Sequence, residues 1–243
     1  MPRNIFITGS SRGVGFGIAK AFAENGDRVI LNGKSDIGQL ERAAGELGKI
    51  NGALEYFLAD FSDYEAAKDC FDKIERNTGG IDVLVNNAGE AHFGLFTDME
   101  PGQIDYILRQ NINTALYASR LAAPGMVRKK RGVIINVSSI WGISGASCET
   151  VYSAAKGAVN SFTKALAKEL GPSGIRVNAI ALGAFETRMN SRLSEDEKKE
   201  FIENIPLSRF GEASEAGALA VFLASEGASY LTGQIIAMDG GII

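Results

Sequence analysis

The chain predicts a parallel, doubly wound α/β sheet covered by helices on both faces. Three observations carry that expectation. Apolar, β-prone runs alternate with helix-length segments from one end of the chain to the other. The runs are close to continuous in apolar residues, as in Ile81–Asn86, which suits strands buried on both faces rather than on one. The first run ends in a glycine cluster that opens a helix.

Taken in order, Asn4–Thr8 is a short apolar strand, and Val14–Glu24 is a helix with Ile18, Ala21 and Phe22 on one face and Gly26 as its stop. Arg28–Asn32 is the second strand, 37–47 a helix, Leu54–Ala59 the third strand. Tyr64–Thr78 follows with Ala67, Phe71 and Ile74 at helical spacing. Ile81–Asn86 is the fourth strand. A long helical stretch then covers Gln103–Lys129, with a break expected near Pro124-Gly125 because proline removes a helix hydrogen bond. Gly132–Val137, Ile175–Ile180 and Gln234–Met238 complete seven strands, and Tyr152–Leu170, Glu195–Ile202 and Ala213–Ser225 complete the helices. Parallel strands joined by helices default to right-handed crossovers. The expectation is therefore a single Rossmann-type domain over residues 1–243, without internal repeat or low-complexity linker.

Composition narrows the class. At 45% hydrophobic and 22% charged residues, with a mean hydropathy of +0.01, the chain reads as soluble and globular and not as intrinsically disordered. Glycine at 29 against proline at 5 favours close backbone approaches and left-handed turns over proline-rich linkers. A net charge of −4 leaves no basic stripe for nucleic acid. The densest basic run, Arg128-Lys129-Lys130-Arg131, reads as a solvated helix end where cations suit the dipole. Cys70 and Cys148 form no CxxC pair, and His92 is the only histidine, so neither a disulfide framework nor a zinc site is expected. The chain holds no apolar run of about 18 residues and no signal-like segment before Asn4, so the expected location is cytoplasmic, away from membranes.

The chemistry gathers at strand ends. Thr8-Gly9-Ser10-Ser11-Arg12-Gly13-Val14-Gly15 joins the first strand to the first helix. Its glycines serve tight strand–helix packing, or they admit a pyrophosphate to the N–H groups of Gly9, Ser11, Arg12, Gly13, Val14 and Gly15. The spacing is neither GxGxxG nor a P-loop. After the second strand, Leu31-Asn32-Gly33-Lys34-Ser35 lacks the acid that a ribose 2′-hydroxyl attracts. Lys34 and Arg12 can face a 2′-phosphate instead, which favours NADP(H) over NAD(H). Asp60 can touch an adenine edge, or cap the helical segment that starts near Ser62. Asn86-Asn87-Ala88-Gly89 closes the fourth strand with two amides that need partners, either within the sheet edge or in a cofactor cleft.

Ser138 and Ser139 end the fifth strand, and Tyr152 and Lys156 open the next helix at i and i+4, on one face. A phenol is a poor acid–base group at neutral pH, and a nearby ammonium lowers its pKa. Tyr152 then exchanges a proton with an alcohol oxygen, and Ser139 hydrogen-bonds the corresponding carbonyl.

Together these stretches resemble the short-chain dehydrogenase/reductase family over essentially all 243 residues. The cofactor turn, the Asn87-Ala88-Gly89 motif and Tyr152-x-x-x-Lys156 all match. The resemblance selects Ser139 over Ser138. It also assigns Asn111, rather than Asn113, to holding a water that links Lys156 to solvent. Within the family the chain looks most similar to the 3-oxoacyl-acyl-carrier-protein reductases, through Ile205-Pro206-Leu207-Ser208-Arg209-Phe210-Gly211, Tyr230-Leu231-Thr232-Gly233-Gln234 and Asp239-Gly240-Gly241. One departure is Leu182-Gly183 where the family has Pro-Gly, which loosens the loop over the nicotinamide or alters its contacts.

The resemblance implies NADPH-dependent reduction of a ketone, foremost a 3-oxoacyl thioester carried on acyl carrier protein. A sugar, polyol or small secondary-alcohol dehydrogenase and a non-catalytic dinucleotide-binding protein are the rivals. It also implies a homotetramer, a carboxamide contact from Thr187 and a small substrate lid at 185–210. Trp141, His92, Phe93, Phe185 and Met189 are the residues expected to face substrate, the four apolar ones as a wall suited to an acyl chain.

Overall fold

The computed structural model describes residues 2–52, 54–186 and 195–243. Seven strands form one parallel sheet: β1 (Asn4–Ile7), β2 (Arg28–Gly33), β3 (Leu54–Leu58), β4 (Val83–Asn86), β5 (Gly132–Ser139), β6 (Ile175–Leu182) and β7 (Ile235–Met238). Their order is β3-β2-β1-β4-β5-β6-β7, so the winding reverses between β1 and β4. In open sheets of this kind the crevice at the carboxyl ends of such a pair is where ligands bind.

Strand periodicity sorts the core. Ile5 and Ile7 face one side with Val29, Leu31, Val83 and Val85, under α1 (Gly13–Glu24), α2 (Ile37–Leu47) and α9 (Ala213–Leu223). Phe6, Ile30, Leu84 and Ile134 face the other side, under α3 (Tyr64–Thr78), α5 (Thr114–Lys129) and α7 (Thr150–Leu170). Phe6, Phe61 and Phe71 meet there with ring centroids 5.4 to 5.8 Å apart, mostly edge to face, the arrangement the ring quadrupole favours. On the first side α1 and α9 cross so closely that a Cβ on Gly17 would stand 2.5 Å from that of Ala213. That crossing holds α1, and hence the glycine turn before it, against the sheet.

The expected break in the long helix lies elsewhere. Pro124 sits inside an unbroken α5, on its exposed side, where water can take the carbonyl that proline leaves without a donor. The interruption is a π-helical turn over Arg109–Asn113 that joins α4 (Pro101–Leu108) to α5. The Asn111 amide donates to the Ile107 carbonyl (2.9 Å), and the Thr114 hydroxyl donates to that of Gln110 (2.9 Å). Side chains thus take up carbonyls at the widened turn. α5 does end in the basic run: Lys130 adopts a left-handed φ of 52°, while Arg128 pairs with Glu75, and Lys129 and Arg131 with Asp82. No described helix is long and apolar enough to cross a membrane.

Candidate active site

The glycine turn is stitched to the end of β4. Gly9 and Gly13 carry left-handed φ values of 62° and 57°, which glycine adopts without strain. The Thr8 hydroxyl accepts from the N–H groups of Asn87 (3.0 Å) and Ala88 (3.1 Å), and the Asn87 amide donates to the carbonyls of Thr8 (3.1 Å) and Gly9 (2.9 Å). Asn86 turns the other way, donating to Asn136 (2.8 Å) and Ser119 (2.9 Å) inside the sheet. The two amides thus find partners in different places, Asn86 inside the sheet and Asn87 on the glycine turn. A Cβ on Gly15 would fall 2.4 Å from Asn87 Nδ2 and 2.5 Å from the Gly9 carbonyl oxygen. Gly15→Ala must displace that clasp, and a destabilisation of about 1–3 kcal/mol is expected from the overpacking. A urea melt should show the lower stability; an unchanged midpoint would mean that the clasp between the turn and β4 yields without cost.

Helix α1 begins without a capping side chain: Arg12 is its N-cap, makes no side-chain cap bond, and no acid lies in the first turn. The N–H groups there are left to an anion, and the space around Gly13 is open. Ser11 reaches toward Gln39 at 3.4 Å and Val14 is half-buried behind it.

Lys34 follows β2, with its ammonium 3.2 Å from Asp60, 3.0 Å from Gln110 Oε1 and 5.4 Å from the Tyr106 ring centroid. Asp60 is not the cap of α3, since Asp63 takes that place through the Ala66 N–H (2.9 Å). Burial pushes the Asp60 carboxyl up, but bonds from Ser62 and Lys34 outweigh this and leave it below its ordinary value. Gln110, which sequence reasoning missed, is buried and ties Lys34 to Ser62 through a 2.8 Å bond.

Further along the same edge, Ser139 ends β5 and Tyr152 and Lys156 lie on the first turns of α7. The Ser139 hydroxyl accepts from the Trp141 N–H (3.2 Å), and Ser139 acts on the Tyr152 phenol to lower its pKa. Lys156 is buried, with its ammonium 3.0 Å from the Val137 carbonyl and 5.5 Å from the centre of the Tyr152 ring. Asn111, also buried, meets the same place: a Cβ on Gly89 would touch Asn111 Oδ1 at 2.5 Å and Lys156 Nζ at 3.3 Å. Asn111 is fixed by its bond to the Glu90 carbonyl (2.7 Å). Four side chains from β5, the π turn and α7 thus converge beside the turn of β4.

The electrostatics depart from expectation. Burial raises the Tyr152 phenol above its ordinary value, Glu149 raises it further, and the bond from Ser139 alone opposes them. Burial also lowers the pKa of Lys156, from 10.5 to about 8. The phenol is accordingly protonated at neutral pH and is a proton donor in that state.

The expected substrate wall is only partly assembled. Trp141 opens α6 (Trp141–Ser144) and is half-buried. His92 is half-buried in a loop pinned to the α6–α7 connection by the Gly94 N–H and the Cys148 carbonyl (2.8 Å), while Phe93 is 77% exposed. Phe185 is buried in the core cluster and packs on Gly211. Thr187 and Met189 lie outside the described residues. Leu182 is the last residue of β6, paired with both Ser139 and Met238, and its carbonyl accepts from the Ile140 N–H (3.0 Å); the loop beyond residue 186, on which its effect is expected, lies outside the described residues.

A family model described as "Enoyl-(Acyl carrier protein) reductase" matches residues 9–243. The chain is 41% identical over 243 residues to the "Uncharacterized oxidoreductase YmfI" of Bacillus subtilis, covering 99% of each. The chain belongs to the short-chain dehydrogenase/reductase family. The family member "3-oxoacyl-[acyl-carrier-protein] reductase FabG" of Thermotoga maritima is 36% identical, across 98% of this chain and 96% of its own. Among solved structures, a "putative gluconate dehydrogenase" from Agrobacterium tumefaciens superposes with a TM-score of 0.95 at 29% identity, covering 99% of this chain and 95% of that one. As a family member the chain is an NAD(P)-dependent oxidoreductase. The uncapped start of α1 and the open space at Gly13 fit such a dinucleotide's pyrophosphate.

Proposed function

We propose that the protein reduces the ketone of a 3-oxoacyl thioester to a secondary alcohol at the expense of NADPH, with a proton taken up and NADP⁺ released. The observation that carries this reading is the convergence of Ser139, a protonated Tyr152, the buried Lys156 and Asn111. The full-length likeness to reductases named for 3-oxoacyl-acyl-carrier-protein supplies the substrate class. When bound, NADPH supplies a hydride to the carbonyl carbon. The chain's own residues do the rest. Ser139 bonds the carbonyl oxygen, and Tyr152 gives that oxygen its phenolic proton as negative charge develops there. Lys156 binds the ribose and, with the water held by Asn111, returns a proton to the phenol. Gly9, Ser11, Arg12, Gly13, Val14 and Gly15 hold the pyrophosphate. Asn87, Ala88 and Gly89 border the nicotinamide half and Asp60 the adenine half.

Lys34 supports the choice of NADPH: it is the cation at the end of β2, and a 2′-phosphate there competes with Asp60 for it. An acyl carrier protein presents the thioester, and copies of the chain assemble as a tetramer. The edge position of β7 and the exposure of Tyr230, Phe222 and Leu207 support that assembly.

The test follows NADPH absorbance with an acetoacetyl thioester, alongside NADH and a set of polyols and gluconate run in the oxidative direction. Turnover with the thioester is expected. Lys34→Glu should weaken NADPH about 10- to 100-fold, the worth of a charge-assisted hydrogen bond, and leave NADH little changed. Turnover of gluconate alone, which the structural likeness favours as the second reading, would keep the chemistry and replace the substrate. Tight NADPH binding without any turnover would favour a non-catalytic binding protein.

A further inference from the structure

A lysine at an open sheet edge ordinarily leaves its ammonium to water, because fixing the four-carbon stem costs rotamer freedom. Lys34 is fixed all the same. Its side chain is 45% exposed, yet the ammonium lies 3.0 Å from Gln110 Oε1 and 3.2 Å from an Asp60 carboxylate oxygen. The two partners differ in kind. Asp60 is an opposite charge that cancels the ammonium, whereas Gln110 is a neutral acceptor that leaves its charge available.

Gln110 is itself held in that pose. It is 6% exposed and lies in the π turn, where its carbonyl accepts from the Thr114 hydroxyl (2.9 Å). Its Nε2 donates to Ser62 Oγ (2.8 Å), which turns Oε1 toward Lys34. The Ser62 N–H donates to Asp60 Oδ1 (2.8 Å) and closes a ring of four residues from three separate parts of the chain. An ammonium carries three N–H donors, so Asp60 and Gln110 leave one for an incoming oxygen. A doubly charged phosphate group outcompetes Asp60, whose carboxylate keeps the Ser62 N–H as a partner. Gln110 has no charge to set against that phosphate, and its bond to the ammonium can persist.

We propose that Gln110 is a positioning residue for cofactor choice: it holds the Lys34 ammonium at the end of β2 and so sets the preference for a dinucleotide that carries a 2′-phosphate. The inference rests on the reading, given above, that Lys34 meets that phosphate. A cation already anchored loses less freedom when the phosphate arrives, and the saving appears as affinity for the phosphorylated cofactor alone. NADH has no group there to collect it. Gln110 therefore acts on the choice between the two cofactors through Lys34 and without touching the reacting atoms.

Calorimetric titration of the whole protein with NADPH and with NADH tests this, read as the ratio of the two Kd values, which a merely structural role leaves alone. Gln110→Met keeps the length of the side chain and removes the acceptor oxygen. It should weaken NADPH about 3- to 10-fold, the worth of one hydrogen bond, and leave NADH within about twofold. Lys34→Met should cost NADPH at least as much, and the double variant no more than Lys34→Met, since Gln110 acts only through the ammonium. If Gln110→Met does not fold, Ser62→Ala carries the same comparison, because it frees the amide without altering the residue that bears it; about a 2- to 5-fold loss of NADPH is then expected. Equal losses for both cofactors, or losses that add in the double variant, would overturn the proposal. A ratio moved by Lys34→Met but not by Gln110→Met would overturn it too, while leaving the reading of Lys34 in place. A ratio that Lys34→Met does not move would remove that reading, and the role of Gln110 with it.

Discussion

Tyr152→Phe should lower kcat for ketone reduction by about 10²- to 10⁴-fold, the usual contribution of a positioned general acid. NADPH affinity and the melting temperature should change little. The ring stays, and Ser139 keeps the N–H of Trp141 as a partner (3.2 Å), so no buried hydroxyl is stranded. The net loss for one neutral hydrogen bond is about 1 kcal/mol, small beside the kinetic effect. Because Lys156 has a pKa lowered to about 8 while the phenol's is raised, the wild-type reduction should be flat around neutral pH and fall as the ammonium is lost near pH 8, before the phenol ionises. Activity of the phenylalanine variant above about a tenth of wild type would mean that the proton reaches the carbonyl oxygen by another route, water near Asn111 being the candidate.

The sheet was legible because its signals are local. Continuous apolar runs such as Val83–Asn86 have few alternatives to a doubly covered strand, and the helices between them set the winding. Tyr152 and Lys156 were legible for the same reason, since i and i+4 share a helix face wherever the helix lies. What was hidden depends on partners distant in sequence. Gln110 meets Lys34 across 76 residues, and no pattern around either announces the contact. The π turn at Arg109–Asn113 has neither glycine nor proline; side chains of Asn111 and Thr114 stabilise it, while Pro124, the visible breaker, lies on the solvent side and breaks nothing. Phe185 shows the converse: residue type marked it as apolar but could not say that it would pack on Gly211.

Lys156→Met should make the protein more stable and nearly inactive. Burial lowers the pKa of this lysine from 10.5 to about 8, a gap that corresponds to about 3 kcal/mol withheld from the folded state while the ammonium is charged. Removing the bond to the Val137 carbonyl (3.0 Å) returns about 1 kcal/mol of that, and methionine fills the space of the lysine stem. The balance favours the variant by roughly 2 kcal/mol at pH 7, several degrees in melting temperature for a chain of this size. The sign of the pH dependence separates this account from simple packing. A lysine with a lowered pKa binds fewer protons folded than unfolded, so wild-type stability should climb as pH rises from about 8 toward 10.5, and the variant should lose that climb. Activity should fall about 100-fold or more, because the ribose contact and the return of a proton to Tyr152 both go with the ammonium. Urea melts across that pH range would decide it. A variant less stable than wild type at pH 7 would show that the ammonium is net stabilising where it lies, and a buried cation kept at a cost to folding would no longer explain why this position holds a lysine.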